Sequence, residues 1–377
     1  MNAPVTVGVV GSGWRADFFL RLAALLPERL TLVGATVRRA EVADQVTGRY
    51  GIPTYASPSE LVRHQHPDFV VSSVPWPVNP GVVTELVDVG TRVLCETPPA
   101  PDQPGLRALW AAVGHRETVQ VAEQYLELPG HAARRELVHR GVLGDVTSVQ
   151  VSSTHGYHAV SMMRGLLGAG YGPTTVSAVR FTAPLVDTRT RDGWTDDDEP
   201  RPASTVLATV DFGDGRSGLY DFTDNQWHNQ LRFRRLLVRG SRGEMADDDV
   251  VRLAAPRTIV RSSLVRSQLG YDLSLDGYDT EHISFDGDIV YRNPFLGLRL
   301  MDEEIAIASM LTRTAAWARD AGPAPYPLAQ ASQDHLVSLA IGEALDSGRP
   351  VTTAVEPWPA DRPCSARTAD PAYETAR

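Results

Sequence analysis

Cysteine is scarce: Cys95 and Cys364 are the two in 377 residues, with no C-x-x-C spacing. That excludes a disulfide framework and a thiolate zinc site, and makes a reducing compartment the expected setting. Long apolar runs are missing too. Nothing reaches the length needed to span a bilayer, and no positively charged leader with an apolar core precedes Val5, so no membrane role and a cytoplasmic location are expected. Basic charge is in deficit, 36 Lys plus Arg against 46 Asp plus Glu, for a formal net charge of -10. This balance speaks against nucleic acid or an anionic membrane surface as the main partner. It does not choose a substrate. Internal repeats are absent as well.

What is present suits a two-domain globular protein, since 42% of the chain is hydrophobic and 377 residues are long for one domain. The chain opens with V-T-V-G-V-V-G-S-G-W-R-A from Val5 to Ala16, an apolar run that breaks into a glycine-rich turn and then a helical pattern. In a G-x-G-x-x-A turn, Gly11 permits the tight bend, Gly13 lets backbone approach a pyrophosphate, and Ala16 lets helix and strand pack closely. The phosphates would sit on N–H groups at the helix N-terminus, where the dipole favours negative charge. An ordinary tight turn between strand and helix is the competing reading.

From Val5 to about Glu123, apolar runs alternate with amphipathic stretches: Leu30 to Val37, Phe69 to Val74, Arg92 to Glu96 and Val119 to Glu123 predict further strands. Ala40 to Tyr50, Val82 to Val89 and Gln103 to His115 predict helices between them. Such alternation gives an α/β Rossmann fold, a doubly wound parallel sheet with its ligand crevice at the carboxyl ends of the strands. The positions expected to meet a dinucleotide are therefore Gly11, Ser12, Gly13, Trp14 and Arg15, then Thr36, Arg38 and Arg39, then Ser73, Val74 and Pro75, then Glu96, Thr97 and Glu123. At the second strand's end, Thr36, Val37, Arg38 and Arg39 replace the acid that usually holds the ribose 2'-hydroxyl of NAD. Guanidinium groups suit a 2'-phosphate, so within NAD(P) the reading leans to NADP.

After a helix at Pro129 to Arg140, strands follow one another: Val146 to Ser153, Val176 to Ala183, Val206 to Phe212, Gly218 to Thr223, Arg235 to Arg239 and Val250 to Leu253. That order predicts a C-terminal α+β domain with an open, mostly antiparallel sheet. Asp302 to Arg319 and Leu328 to Leu345 predict two later helices, and Pro184 to Pro202 reads as one long exposed loop. The expected domains are 1–127, 128–357 and a flexible tail at 358–377.

Taken together, G-S-G-W-R-A, V-L-C-E-T-P-P-A at Val93 to Ala100, V-A-E-Q-Y at Val121 to Tyr125 and H-G-Y-H-A-V-S-M-M-R-G-L-L-G at His155 to Gly168 resemble the Gfo/Idh/MocA oxidoreductase family. The resemblance covers nearly the whole chain. It implies NAD(P)-linked oxidation or reduction of a sugar, polyol or related hydroxy or keto compound, and a homodimer or homotetramer through the C-terminal sheet. It also implies a catalytic lysine, aspartate and histidine. Here Thr97 stands for the lysine of Glu-Lys-Pro, and Thr154 stands four residues before His158 in place of the aspartate.

Only His158 matches that set, and the family position puts it at the reacting centre. An imidazole, with a model-peptide pKa near 6.5, can take the hydroxyl proton at neutral pH. His155 three residues earlier, Tyr157 and Tyr125 are the other candidates, each tyrosine being equally well read as a packed aromatic. Trp76, Arg164, Trp227 and His228 are further candidates for lining a substrate crevice. No metal is expected: His155 and His158 lack a thiolate or carboxylate beside them, and Asp196 to Glu199 and Asp247 to Asp249 match no calcium-loop spacing. The missing lysine keeps two alternatives open. One is a redox-neutral glycoside hydrolase that oxidises, eliminates, hydrates and reduces, and the other is a non-catalytic nucleotide sensor.

Overall fold

The computed structural model describes residues 3–270 and 279–358. Cys364 and residues 359–377 of the expected tail lie outside the described residues. Two compact units divide the chain: one holds Met1–Pro129, Gln268–Glu281 and Arg292–Gln333, the other Gly130–Ser267, His282–Tyr291 and Asp334–Arg377.

The first unit alternates strand and helix: β1 (Val5–Val10), α1 (Trp14–Ala24), β2 (Leu30–Thr36), α2 (Ala40–Tyr50), β3 (Thr54–Tyr55), α3 (Pro58–Gln65), β4 (Phe69–Ser72), α4 (Asn79–Asp88), β5 (Arg92–Cys95), α5 (Gln103–Val113) and β6 (Val119–Val121). The six strands pair in parallel in the order β3-β2-β1-β4-β5-β6. This is the expected doubly wound Rossmann sheet, with its order reversing between β1 and β4, where ligand crevices form. Strands covered by helices on both faces need apolar side chains at successive positions. Val7, Val9 and Val10 of β1, and Phe69, Val70 and Val71 of β4, are accordingly buried.

Local chemistry sets the helix starts. Ser57 accepts a hydrogen bond from the Glu60 N–H ahead of α3, and Asp102 accepts one from the Gly105 N–H ahead of α5. Before α1, the cap is Gly13, which brings no side-chain acceptor. The helix Asp302–Ala318, from the far end of the chain, packs on α1 within this unit.

The second unit carries α6 (Pro129–His139), β7 (Val146–Val151), α7 (Gly156–Leu167), β8 (Thr175–Leu185), β9 (Arg189–Thr190), β10 (Gly193–Trp194), β11 (Arg201–Gly213), β12 (Arg216–Thr223), β13 (Leu236–Gly240), β14 (Gly243–Ala246), β15 (Asp249–Ala255) and β16 (Thr258–Ser263). A nine-stranded sheet runs β16-β15-β14-β13-β7-β12-β11-β8, with Val351–Thr352 at its far edge. All neighbours are antiparallel except β7 and β12, which pair in parallel. The sheet is thus mostly antiparallel, as expected for the C-terminal half. Helix α7 packs on β7 and β12, burying Tyr157, Val160, Met162, Met163 and Leu166.

Pro184 to Pro202 is not one long loop. β8 runs to Leu185, β9 and β10 form a small hairpin, and β11 starts at Arg201. Pro184 and Pro202 face each other in the β8–β11 register. Proline is tolerated at such a ladder end because few pairing N–H groups are lost there. Asp196 to Glu199 do lie in the irregular segment that remains.

Candidate active site

In the first unit, the turn after β1 is shaped by a contact that only glycine permits. Gly11 has φ +130°, and a Cβ there would lie 2.1 Å from the Ser73 carbonyl oxygen at the end of β4. Its N–H donates to the Thr36 carbonyl at 3.2 Å, and the Ser73 N–H donates to the Val10 carbonyl at 2.8 Å, so the ends of β1, β2 and β4 are drawn together. Gly13 differs: a Cβ there would meet nothing within 4 Å. Its small size is not required by the protein's own packing, and it leaves room for a ligand at the start of α1. An acceptor-free cap, open space and a helix N-terminus together fit a dinucleotide pyrophosphate.

Among the flanking positions, Thr36 is buried and its hydroxyl donates to the Ser57 carbonyl at 3.3 Å, whereas Arg38 and Arg39 are exposed. Neither arginine makes an ion pair among the described residues. Ser12, Ser73 and Val74 are half-buried, and Trp14 and Pro75 are exposed.

Arg15 is already engaged. Its Nε lies 3.2 Å from Glu96 Oε1 and its guanidinium 2.9 Å from Glu303 Oε1. Burial works against its charge, but Glu96 and Glu303 outweigh that and hold its pKa above the ordinary value. The Thr97 hydroxyl donates to the same Glu96 oxygen at 3.3 Å, and the Thr97–Pro98 peptide is cis. The other carboxylate oxygen of Glu96, Oε2, is buried and has no hydrogen-bond partner. Glu123 is buried and accepts the Tyr125 N–H at 3.1 Å. Tyr125 therefore belongs to the first unit, in the turn after β6.

The second unit gathers the remaining candidates at the start of α7. His155 is the exposed N-cap residue, and the His158 N–H bonds back to its carbonyl at 3.1 Å. Their rings lie edge to face, 5.2 Å apart. His155 also meets the Trp227 ring at 5.1 Å, and Trp227 stacks on Phe222 at 5.2 Å and 13°. Tyr157 is buried, with its ring 5.3 Å from His158 and 5.9 Å from His335. Two imidazoles beside a half-buried indole face thus offer proton acceptors next to a flat apolar surface of the kind that packs on sugar C–H groups. His335 was not anticipated. Its signal is tertiary, since it reaches the cluster from a helix about 180 residues away in sequence.

Arg164 does not line a crevice. It is 1% exposed and ion-paired to Asp334, also 1% exposed, with a further hydrogen bond to the Gly170 carbonyl at 3.0 Å. Glu303 was missed because it lies 288 residues from the arginine it holds. One compositional fact bears on the site directly: the chain contains no lysine, so all 36 basic side chains other than histidine are arginines. No lysine elsewhere in the chain can stand in for the one that Thr97 replaces. Arginine, protonated at all working pH, cannot act as a base in its stead. Among the described residues, no group of three or more His, Cys, Asp or Glu side chains is placed to hold a metal, and no helix is long and apolar enough to cross a membrane.

Residues 5–124 match the Gfo/Idh/MocA family, described as an oxidoreductase family with an NAD-binding Rossmann fold. No curated protein matches the chain by sequence. Among solved structures, the chain resembles a levoglucosan dehydrogenase in complex with NADH and levoglucosan at 17% identity and TM-score 0.67, covering 93% of this chain and 99% of that one. It also resembles a myo-inositol dehydrogenase from Corynebacterium glutamicum at 18% identity and TM-score 0.64, covering 93% and 98%. An oxidoreductase from Agrobacterium radiobacter in complex with NAD+, L-tartaric acid and magnesium matches at 13% identity and TM-score 0.66, covering 92% and 98%. Residues 5–124 thus match the Gfo/Idh/MocA family model, and along most of its length the chain shares the fold of these solved structures.

Proposed function

We propose that the chain is an NAD(P)-dependent oxidoreductase that moves hydride to or from a sugar, polyol or related hydroxy or keto compound, with His158 as the acid/base group. The observation that carries this reading is the pairing of His155 and His158 beside the Trp227 face, in a chain whose other unit has an NAD-binding fold. A bound nicotinamide supplies the hydride acceptor or donor. The chain's own task is then to hold the substrate and to move the hydroxyl proton. His158 takes it in the oxidative direction and returns it in the reductive one. The rings of Tyr157 and His155 both lie edge to face against the His158 ring. The levoglucosan dehydrogenase that the chain resembles is seen in complex with levoglucosan and with L-sorbose, and these ligands support a polyhydroxylated substrate.

The test uses purified protein with NAD or NADP and a panel of free sugars, polyols and chromogenic glycosides, read together for reduced nucleotide and for released aglycone. Accumulating reduced nucleotide is expected. Nucleotide-dependent aglycone release without net reduction would replace this reading with the redox-neutral glycosidase. Absence of nucleotide binding would end both.

Within NAD(P), we infer a preference for NADP from Arg38 and Arg39, exposed and without ion pairs after β2. Hydrogen bonds to charged groups contribute roughly 1.5–3 kcal/mol each, so Arg38→Ala together with Arg39→Ala is expected to weaken NADP binding by about tenfold or more. NAD binding should change little. Calorimetric titration of both nucleotides checks this, and an equal loss for the two would refute it.

A further inference from the structure

Strand β12 has two chemically different faces. A Cβ at Gly218 would lie 2.7 Å from Met163 Sδ on α7, so Gly218, Tyr220 and Phe222 face that helix, and the Tyr220 hydroxyl accepts the Gly156 N–H at its start at 3.1 Å. By the two-residue period of a strand, Asp221 and Thr223 point to the opposite face. Thr205 of β11 is the register partner of Thr223 and shares that face, with the two hydroxyls 2.8 Å apart. There, on the side of the sheet away from the histidines of α7, these strand residues and the stretch from Gln226 to Arg235 line a cavity of about 310 Å³.

The lining sets donors beside acceptors. Asp221 Oδ2 accepts from Arg235 at 2.8 Å and from the Ser152 hydroxyl at 3.3 Å, which leaves Oδ1 without a partner among the described residues and the guanidinium with N–H groups to spare. The contact between Thr205 and Thr223 uses one hydroxyl hydrogen and leaves the other to donate. Gln226 is fully engaged, accepting the Thr223 N–H at 2.8 Å and donating to the Ser152 and Phe233 carbonyls at 2.7 Å and 2.8 Å. Arg232 turns one N–H back to the Leu231 carbonyl at 3.0 Å. Leu231 and Phe233, both exposed, add apolar surface. A carboxylate or phosphate entering here would face Asp221, and an ammonium group would face the arginines. Hydroxyl groups both donate and accept, so a ring carrying several of them meets the free carboxylate oxygen, the guanidinium and the threonine hydroxyl together. Its C–H face then lies on the apolar side chains.

We propose that this cavity is a second, non-catalytic site for a neutral polyhydroxylated ring, a sugar or cyclitol, and that its occupancy reaches the candidate active site through the turn at Gln226 and Trp227. Gln226 lines the cavity, while the next residue, Trp227, stacks on Phe222 at 5.2 Å and meets the His155 ring at 5.1 Å. The bond from Gln226 to the Ser152 carbonyl ties the same turn to the segment that leads into His155. A ring held on Asp221 and Arg235 adds contacts to that turn from behind, which favours the indole position that faces the histidines. Neither the site nor its link to the indole depends on the oxidoreductase reading.

The experiment is a calorimetric titration of the full chain, without nucleotide, using myo-inositol, D-glucose and D-galactose, with D-glucuronate and D-glucosamine as charged counterparts. At least one neutral ring is expected to bind, and more tightly than both charged ones. Asp221→Asn keeps an oxygen for Arg235 but puts an amide nitrogen in place of the free acceptor, and should weaken that binding about tenfold or more. Thr205→Phe, at a half-buried strand position that tolerates an aromatic, fills the cavity and should abolish it. Both variants should keep the wild-type melting temperature and nucleotide affinity, and His158→Ala should keep the ring binding. Saturating ring should shift tryptophan emission in the wild type but not in Trp227→Phe. No binding by any neutral ring, tighter binding of a charged ring, or binding that survives both cavity substitutions would overturn the proposal. An emission change that persists in Trp227→Phe would overturn the link to the active site. Binding of the expected pattern in a protein that reduces no nucleotide with any sugar or polyol would leave the cavity site standing and refute the oxidoreductase reading instead.

Discussion

Arg164→Met is expected to destabilise the second unit by about 3–5 kcal/mol, the usual cost of removing one member of a buried ion pair. Arg164 and Asp334 are each 1% exposed, so neither charge retains water to fall back on. The guanidinium also donates to the Gly170 carbonyl and lies 5.5 Å from the Tyr171 ring centroid, so one side chain joins α7, the turn after it and the helix carrying Asp334. Methionine keeps much of the stem's volume and removes the charge, leaving the Asp334 carboxylate buried without its guanidinium. The carboxylate must then protonate or draw in water, and either costs free energy. Replacing both, as Arg164→Met with Asp334→Leu, should recover most of the loss, since no charge is then left behind. Urea unfolding followed by tryptophan fluorescence checks both. A single substitution that unfolds at the wild-type midpoint would show that the pair contributes little, and would return Arg164 to the list of side chains able to meet a ligand.

That ion pair also marks where sequence stops being informative. The Rossmann strands were legible because burial on both faces demands continuous apolar runs, and Val5–Val10 or Phe69–Ser72 announce themselves by composition. The glycine turn was legible because Gly11 answers a steric demand that no other residue meets. The second unit is harder. β8 is largely exposed beyond Val176, so Val179 and Phe181 stand among polar residues and prolines with no buried face to set the period. Pro184 and Pro202 then read as loop signals although they oppose each other in a ladder. The parallel pairing of β7 with β12 is a matter of topology, and no residue pattern encodes it.

Side-chain partnerships were the least legible. Arg15 could be placed at a nucleotide turn from its motif, but its two carboxylates are Glu96 and Glu303, 81 and 288 residues away. Arg164 could be offered to an anionic substrate only while Asp334, 170 residues on, was unknown. Arg189 and Arg191 lie in the stretch from Pro184 to Pro202 that reads as one exposed loop. The amides of Asn225, Gln226 and Asn229, which tie that stretch and the one at Phe233 to a single turn, are equally invisible in the sequence pattern.

His158→Ala is expected to lower kcat by roughly 10²–10⁴, the range of general acid/base contributions, while leaving nucleotide affinity unchanged. The usual lysine and its nearest equivalents cannot take over. There is no lysine anywhere, arginine does not give up its proton, and Thr97 carries no charge. His155 is the nearest substitute, with its ring centroid 5.2 Å away, so His155→Ala alone should cost less and the double substitution should cost more than either. Folding is not at issue in the single variant. His158 lies in the first turn of α7, its backbone N–H keeps its bond to the His155 carbonyl whatever the side chain, and alanine is the best helix former. The measurement is kcat and kcat/KM on the substrate found in the panel, with nucleotide affinity titrated alongside. A fall in kcat with intact nucleotide binding assigns the proton transfer to His158. Turnover within about threefold of wild type would take the histidine out of the chemistry, because the loss of a true general base is at least thirty times larger than that. Should the His155 and His158 double substitution also keep turnover, Tyr157, whose buried ring lies 5.3 Å from the same imidazole, becomes the next candidate and its replacement by phenylalanine the decisive variant.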